Sequence, residues 1–160
     1  MAGIFTTDRE SDNYSTNKAG WEIIKDFIPK DKKIWSPFYC DGKQKEYFTE
    51  LGFNILHKDE DFFQFTPEYD LIVDNPPFSK IKEISIRLKD LDKPFIIICV
   101  SSLLLSKWFQ VLFKKNLQVI IPEKRTTFTH LTNGKTKYTP PFGTMYFCYK
   151  MNLERDLIWL

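Results

Sequence analysis

The chain has 160 residues, 42% of them hydrophobic and 16% aromatic, and a formal net charge of +2. That is enough apolar material for one buried core and too little for two, so a single domain over residues 1–160 is expected. No run approaches the roughly 20 apolar residues of a membrane span. The polar segment Met1 to Asn17 lacks the basic-then-apolar order of a secretory leader, so an intracellular protein, neither secreted nor membrane-bound, is expected.

Three scattered cysteines, Cys40, Cys99 and Cys148, do not form a disulfide framework, and no Cys-x-x-Cys pair suggests zinc. No metal is expected. Residues 1–80 carry 10 Lys and Arg against 15 Asp and Glu, a balance of −5, whereas residues 81–160 carry 13 against 6, or +7. A basic second half suits a protein that faces an anion there.

Along the chain, Trp21, Ile24, Phe27 and Ile28 share one face of a predicted helix over Asn17 to Ile28, capped by Thr16 and ended by Pro29. Lys33 to Phe38 reads as a first strand. A turn through Cys40, Asp41 and Gly42 leads to a short helix, Lys43 to Leu51, stopped by Gly52, and Phe53 to His57 reads as a second strand. Tyr69 to Val73 is a continuous apolar run, as a strand buried on both faces requires. Then follow a helix from about Ser79 to Asp90, a buried strand over Pro94 to Val100, an amphipathic helix over Leu103 to Lys115 and a strand over Leu117 to Ile121. Pro122 to Gly143 reads as a long polar and basic excursion, and Thr144 to Lys150 as a final strand reached without a helix, hence antiparallel.

Strands alternating with helices predict a mostly parallel sheet with helices on both faces. Ligands of such sheets bind at the carboxyl ends of the strands, where the strand order reverses. The turn after the first strand and the loop after Val73 have that address.

That loop, Asp74-Asn75-Pro76-Pro77-Phe78, is the strongest feature of the sequence. Two consecutive prolines fix the backbone and remove two amide donors. An exocyclic amine conjugated to a purine is a poor nucleophile. A carboxamide oxygen from Asn75 and a carbonyl from Pro76 can each accept one amine hydrogen, turning the nitrogen lone pair outward, while Phe78 holds the ring plane.

The Asn-Pro-Pro-Phe loop after a buried strand resembles the catalytic motif of the S-adenosylmethionine-dependent amino-methyltransferases, in particular the adenine-N6 methyltransferases of DNA or RNA. The resemblance implies a Rossmann-like class I methyltransferase: an α/β fold with a mostly parallel seven-stranded sheet, reduced if the short chain requires it, and an antiparallel last strand. It also implies S-adenosylmethionine as donor and a flipped or unpaired target base. Asn75, Pro76, Pro77 and Phe78 are then catalytic, with Asp74 beside the cofactor.

Trp35 to Gly42 resembles the family's cofactor loop, an acid-Pro-aromatic-x-Gly-x-Gly pattern. Pro37, Phe38 and Gly42 agree, Ser36 stands in place of the acid and Cys40 in place of the first glycine. The resemblance further implies Asp59 near the cofactor ribose, Asp61 near its adenine amine, Phe62 against that ring, and the Tyr14-Ser15-Thr16 segment over the methionine part. Between Lys107 and Lys137 seven basic residues face only Glu123. Within this stretch Lys124, Arg125, Lys135 and Lys137 suit phosphate contacts, and Tyr138 and Phe142 suit the target-base pocket.

DNA is the first expectation for the substrate and RNA the second. Guanine-N2 methylation of RNA, glutamine methylation of proteins, and an inactive nucleic-acid-binding subunit are the competing readings. No segment is left over for a separate target-recognition domain, so specificity falls to the basic loop, a partner subunit or a second copy in a homodimer.

Overall fold

The structure is a computed structural model that describes residues 14–131 and 136–160. Its elements in chain order begin with β1 (Tyr14–Thr16), α1 (Lys18–Glu22), β2 (Lys33–Trp35), α2 (Gln44–Glu50), β3 (Asn54–Leu56) and β4 (Leu71–Asp74). They continue with α3 (Ile81–Leu91), β5 (Phe95–Val100), α4 (Lys107–Phe113), β6 (Leu117–Ile121), β7 (Phe128–His130), β8 (Thr136–Tyr138), β9 (Thr144–Tyr149) and β10 (Leu157–Trp159). No helix among the described residues is long and apolar enough to cross a membrane.

The main sheet has seven strands in the order β10-β6-β9-β5-β4-β2-β3. It is parallel throughout except for β9, which runs antiparallel to both β5 and β6. The antiparallel strand over Thr144–Tyr149 is therefore where the sequence indicates. It is not the last strand, because β10 returns to add a parallel edge beside β6, pairing Leu157 with Val119 and Trp159 with Ile121.

β5 explains why the central strands read as unbroken apolar runs. Phe95, Ile97 and Cys99 join one buried cluster with Ile84 and Leu88 of α3 and Phe109 and Phe113 of α4. Ile96 and Ile98 join the opposite cluster with Trp21 of α1 and Phe48 of α2. A strand covered on both faces has no side that tolerates polar residues.

Two local expectations are corrected. The helix over Asn17 to Ile28 is α only to Glu22, and Lys25–Phe27 forms a 3-10 turn. Three residues per turn keeps Trp21, Ile24 and Phe27 on one side, and Trp21 and Ile24 are fully buried. Thr16 does not cap α1. It is buried in β1, and Asn17 at the cap position sends its amide to the Thr127 carbonyl at 3.3 Å.

Two short strands, β7 and β8, lie within the excursion over Pro122 to Gly143. β7 pairs antiparallel with β1 and with β8, building a second sheet of three strands. The excursion links the carboxyl end of β6 to the start of antiparallel β9, so it stands at the same edge of the main sheet as the ends of β2 and β4.

Candidate active site

β2 lies between β3 and β4, so the connection reverses direction there and the carboxyl ends of β2 and β4 form the switch point. Asp74, the last residue of β4, is 1% exposed and binds the two loops to each other. Its Oδ2 accepts hydrogen bonds from the Ser36 hydroxyl at 2.9 Å and the Phe38 amide at 2.6 Å. Its Oδ1 accepts from the Gln44 amide at 3.0 Å and the Asn75 backbone amide at 2.7 Å. Burial pushes the Asp74 carboxyl above the ordinary aspartate range, against the pull of nearby His57 and of the bonds from Phe38, Asn75 and Ser36.

Gln44 also donates to the Ser36 hydroxyl at 2.8 Å and the Val73 carbonyl at 3.2 Å. His57 places its two ring nitrogens 2.8 Å from the Ser36 carbonyl and 3.1 Å from the Tyr39 carbonyl, and its ring stacks on Tyr39. Neither Gln44 nor His57 stands out in the sequence. The available signal for Gln44 is a polar residue in the first turn of a helix next to a ligand-type loop.

The turn after β2 takes the left-handed backbone twice, at Cys40 with φ 52° and at Gly42 with φ 76°. A Cβ at Gly42 would lie 2.7 Å from the Tyr39 hydroxyl, so only glycine fits there. Cys40 holds the same kind of conformation at a cost of roughly 1 kcal/mol, because its Cβ crowds the backbone.

A cleft of about 530 Å³, including the space open to solvent at its mouth, lies over the switch point. Asn75, Pro76, Pro77 and Phe78 form one wall and Tyr138, Pro140 and Phe142 another, with Tyr14, Phe38 and Phe128 between them. The Phe78 and Phe142 rings meet edge to face at 5.9 Å, and Tyr14 stacks on Tyr138 at 4.8 Å. The Asn75 Oδ1 atom is shielded from water and has no hydrogen-bond partner among the described residues. Such an atom costs about 1–3 kcal/mol of stability, which a ligand donor would recover.

A narrower crevice of about 220 Å³ adjoins it, lined by Thr16, Phe38, Cys40, Gln44, Asp74 and Asn75 among others. The Thr16 hydroxyl there is likewise buried without a partner among the described residues. Ser36 and Pro37 are buried and do not line this crevice.

The remaining sequence-derived positions scatter. Asp59 is exposed beyond the end of β3, and Asp61 closes its own turn by accepting from the Phe63 amide at 2.9 Å. Phe62 lies in the core rather than along the cleft. It is fully buried, with Trp35 at 5.5 Å and Phe38 at 5.1 Å, so no face of its ring is open to a cofactor. Lys124 and Lys137 are exposed. Arg125 is exposed too, but its guanidinium donates to the carbonyls of Pro140 at 3.2 Å and Pro141 at 3.0 Å, bracing the wall that carries Phe142. Lys135 lies outside the described residues.

No protein-family model matches the sequence, and neither does any curated protein. Among solved structures, the chain is similar to a candidate RNA methyltransferase from Pyrococcus horikoshii, with a TM-score of 0.57 at 10% identity over 90% of this chain and 89% of that one. It is also similar to precorrin-6y C5,15-methyltransferase from Geobacter metallireducens, with a TM-score of 0.48 at 11% identity over 88% and 96%. The likeness to the Pyrococcus protein establishes the fold: a Rossmann-like α/β domain with a mostly parallel seven-stranded sheet, as the alternation of its strands and helices indicates.

Proposed function

We propose that this protein transfers a methyl group from S-adenosylmethionine to the exocyclic N6 amine of adenine in nucleic acid. The observation that carries the reading is the unpartnered, water-shielded Oδ1 of Asn75 in the wall of an aromatic cleft. An amine hydrogen is the donor such an atom needs, and Phe78, Tyr138 and Phe142 offer faces and edges for a planar base.

In this reading Asn75 Oδ1 and the Pro76 carbonyl accept the two amine hydrogens, and the rigid Pro-Pro backbone keeps both acceptors in place. The nitrogen forms its bond to the methyl carbon as the carbon–sulfur bond breaks, and the surplus proton leaves to water. The donor supplies an already activated methyl group on a sulfonium. The crevice suits such a ligand through the unpartnered Thr16 hydroxyl and the turn from Ser36 to Gly42, which Asp74 and Gln44 hold in shape. The same reading assigns Asp59 and Asp61, which follow the carboxyl end of β3, to the donor's ribose and adenine.

The test is mass spectrometry of nucleosides from DNA and RNA incubated with the protein and labelled donor. Label on N6-methyladenine is expected. Label confined to guanine, or recovered in protein, would transfer the same site chemistry to a different amine and overturn the adenine assignment. DNA remains the first substrate. RNA gains weight from the Pyrococcus horikoshii protein, described as a candidate RNA methyltransferase.

Two variants probe the flanks of the site. Cys40→Gly removes the left-handed strain and is expected to bind the donor at least as tightly as the parent in calorimetry. Weaker binding would mean the turn is not the methionine site. Neutralising Lys124 and Lys137 together should flatten the salt dependence of nucleic-acid binding, lowering the log–log slope by about 1.5 and leaving donor affinity unchanged. An unaltered slope would make both lysines ordinary solvated surface. Arg125 is left out of that pair because losing its brace would disturb the pocket wall as well.

A further inference from the structure

Among the described residues the most exposed large apolar side chain is Leu105, at 82%. Single exposed leucines are ordinary, but the place and the rigidity of this one are not. β5 runs three residues beyond Ile97, the partner of Asp74, and delivers the chain to the rim of the cleft. There the Ser101 amide donates to the Gly143 carbonyl at 2.9 Å, beside the Phe142 that lines the cleft.

Ser101–Leu105 is a 3-10 turn anchored by Leu103, which is buried in the core. The Ser106 amide closes it onto the Leu103 carbonyl at 3.1 Å, and the Gln110 side chain holds the Leu104 carbonyl at 2.7 Å. Leu105 is therefore an apolar tip on a braced turn. At about 2 Å of rise per residue it stands about 8 Å from Ser101, little more than two steps of stacked bases at about 3.4 Å each. Lys107, two residues on, is an exposed cation, and Lys80 is another, in the turn that follows Pro77 of the cleft wall.

We propose that Leu105 is a wedge that enters the base stack beside the target nucleotide and fills the space left when that base turns into the Asn75 cleft. The substrate it fits is a stacked duplex or stem, because an unstacked single strand leaves no gap to fill. Apolar side chains inserted between base steps unstack them in this way, and exposed cations such as Lys107 and Lys80 supply phosphate contacts for the backbone. The inference rests on the reading of the Asn75 cleft as a base pocket.

The experiment uses DNA and RNA duplexes with and without one abasic site, a ready-made gap, and measures binding without methyl donor. The parent protein should prefer the abasic duplex about tenfold, the effect of burying one leucine side chain. Leu105→Ala should reduce that preference to near unity with little change on the intact duplex, and Leu105→Met should keep it. Loss of the preference in Leu105→Ala establishes the wedge. A preference that survives the substitution, no preference in the parent, or no duplex binding at all would overturn it. Since no methyl is transferred in this assay, failure of the wedge is read separately from failure of the adenine assignment, which the nucleoside analysis decides.

Discussion

Asn75→Ala is expected to fold as well as the parent or slightly better and to transfer methyl groups about a hundredfold more slowly, a loss of about 3 kcal/mol of transition-state stabilisation. Both halves of the result come from one observation. Asn75 Oδ1 is buried without a partner, so deleting it costs the apoprotein no hydrogen bond at that atom and removes an unsatisfied acceptor. Its contribution arises only when an amine donates to it, and that amine becomes a stronger donor as positive charge builds on the nitrogen during transfer. Single-turnover transfer at saturating donor and nucleic acid, beside thermal unfolding, separates the two. A folded variant that transfers methyl at the parental rate would remove Asn75 from the chemistry and the adenine assignment with it.

Asp74→Ala should behave in the opposite way, failing first in stability. The substitution deprives the Ser36 hydroxyl, the Phe38 amide, the Gln44 amide and the Asn75 amide of their common acceptor inside the protein. Buried donors left unmatched cost about 1–3 kcal/mol each when water cannot reach them, with relaxation recovering part of the sum. A net loss of about 4 kcal/mol is expected. For a chain of this size that lowers the unfolding midpoint by roughly 10 °C. Donor affinity should fall as well, because the turn from Ser36 to Gly42 loses the group that fixes it to β4. An unfolding midpoint within a degree or two of the parent would show that Asp74 is not the tie between the two loops.

Much of the architecture was legible locally. The apolar runs Leu71–Asp74 and Phe95–Val100 announce strands covered on both faces, and helical spacing marks α3 and α4, because burial on a regular element imprints its period on the sequence. The position of the Asp74 to Phe78 loop at the sheet's carboxyl edge follows from the same reasoning, as does the antiparallel strand after a connection without a helix. The sequence also brought Asn75, Phe78, Tyr138 and Phe142 under suspicion together, and they do line one cleft.

What the sequence did not determine are the features made by partners distant along the chain. β1, β7 and β10 are three residues each, too short to show a period, and they exist as strands only because Tyr14 meets His130 and Leu157 meets Val119 in space. The family resemblance assigns Phe62 to the cofactor ring, and the enclosure by Trp35 and Phe38 places it in the core instead. Arg125 belongs by charge to the basic loop, yet the nearness of the Pro140 and Pro141 carbonyls makes it a brace. Composition and period carry the chemistry of single residues and the burial of regular elements. Which buried donor finds which acceptor depends on the three-dimensional path of the whole chain, so the Asp74 network and the unpartnered oxygen of Asn75 became visible only in the tertiary structure.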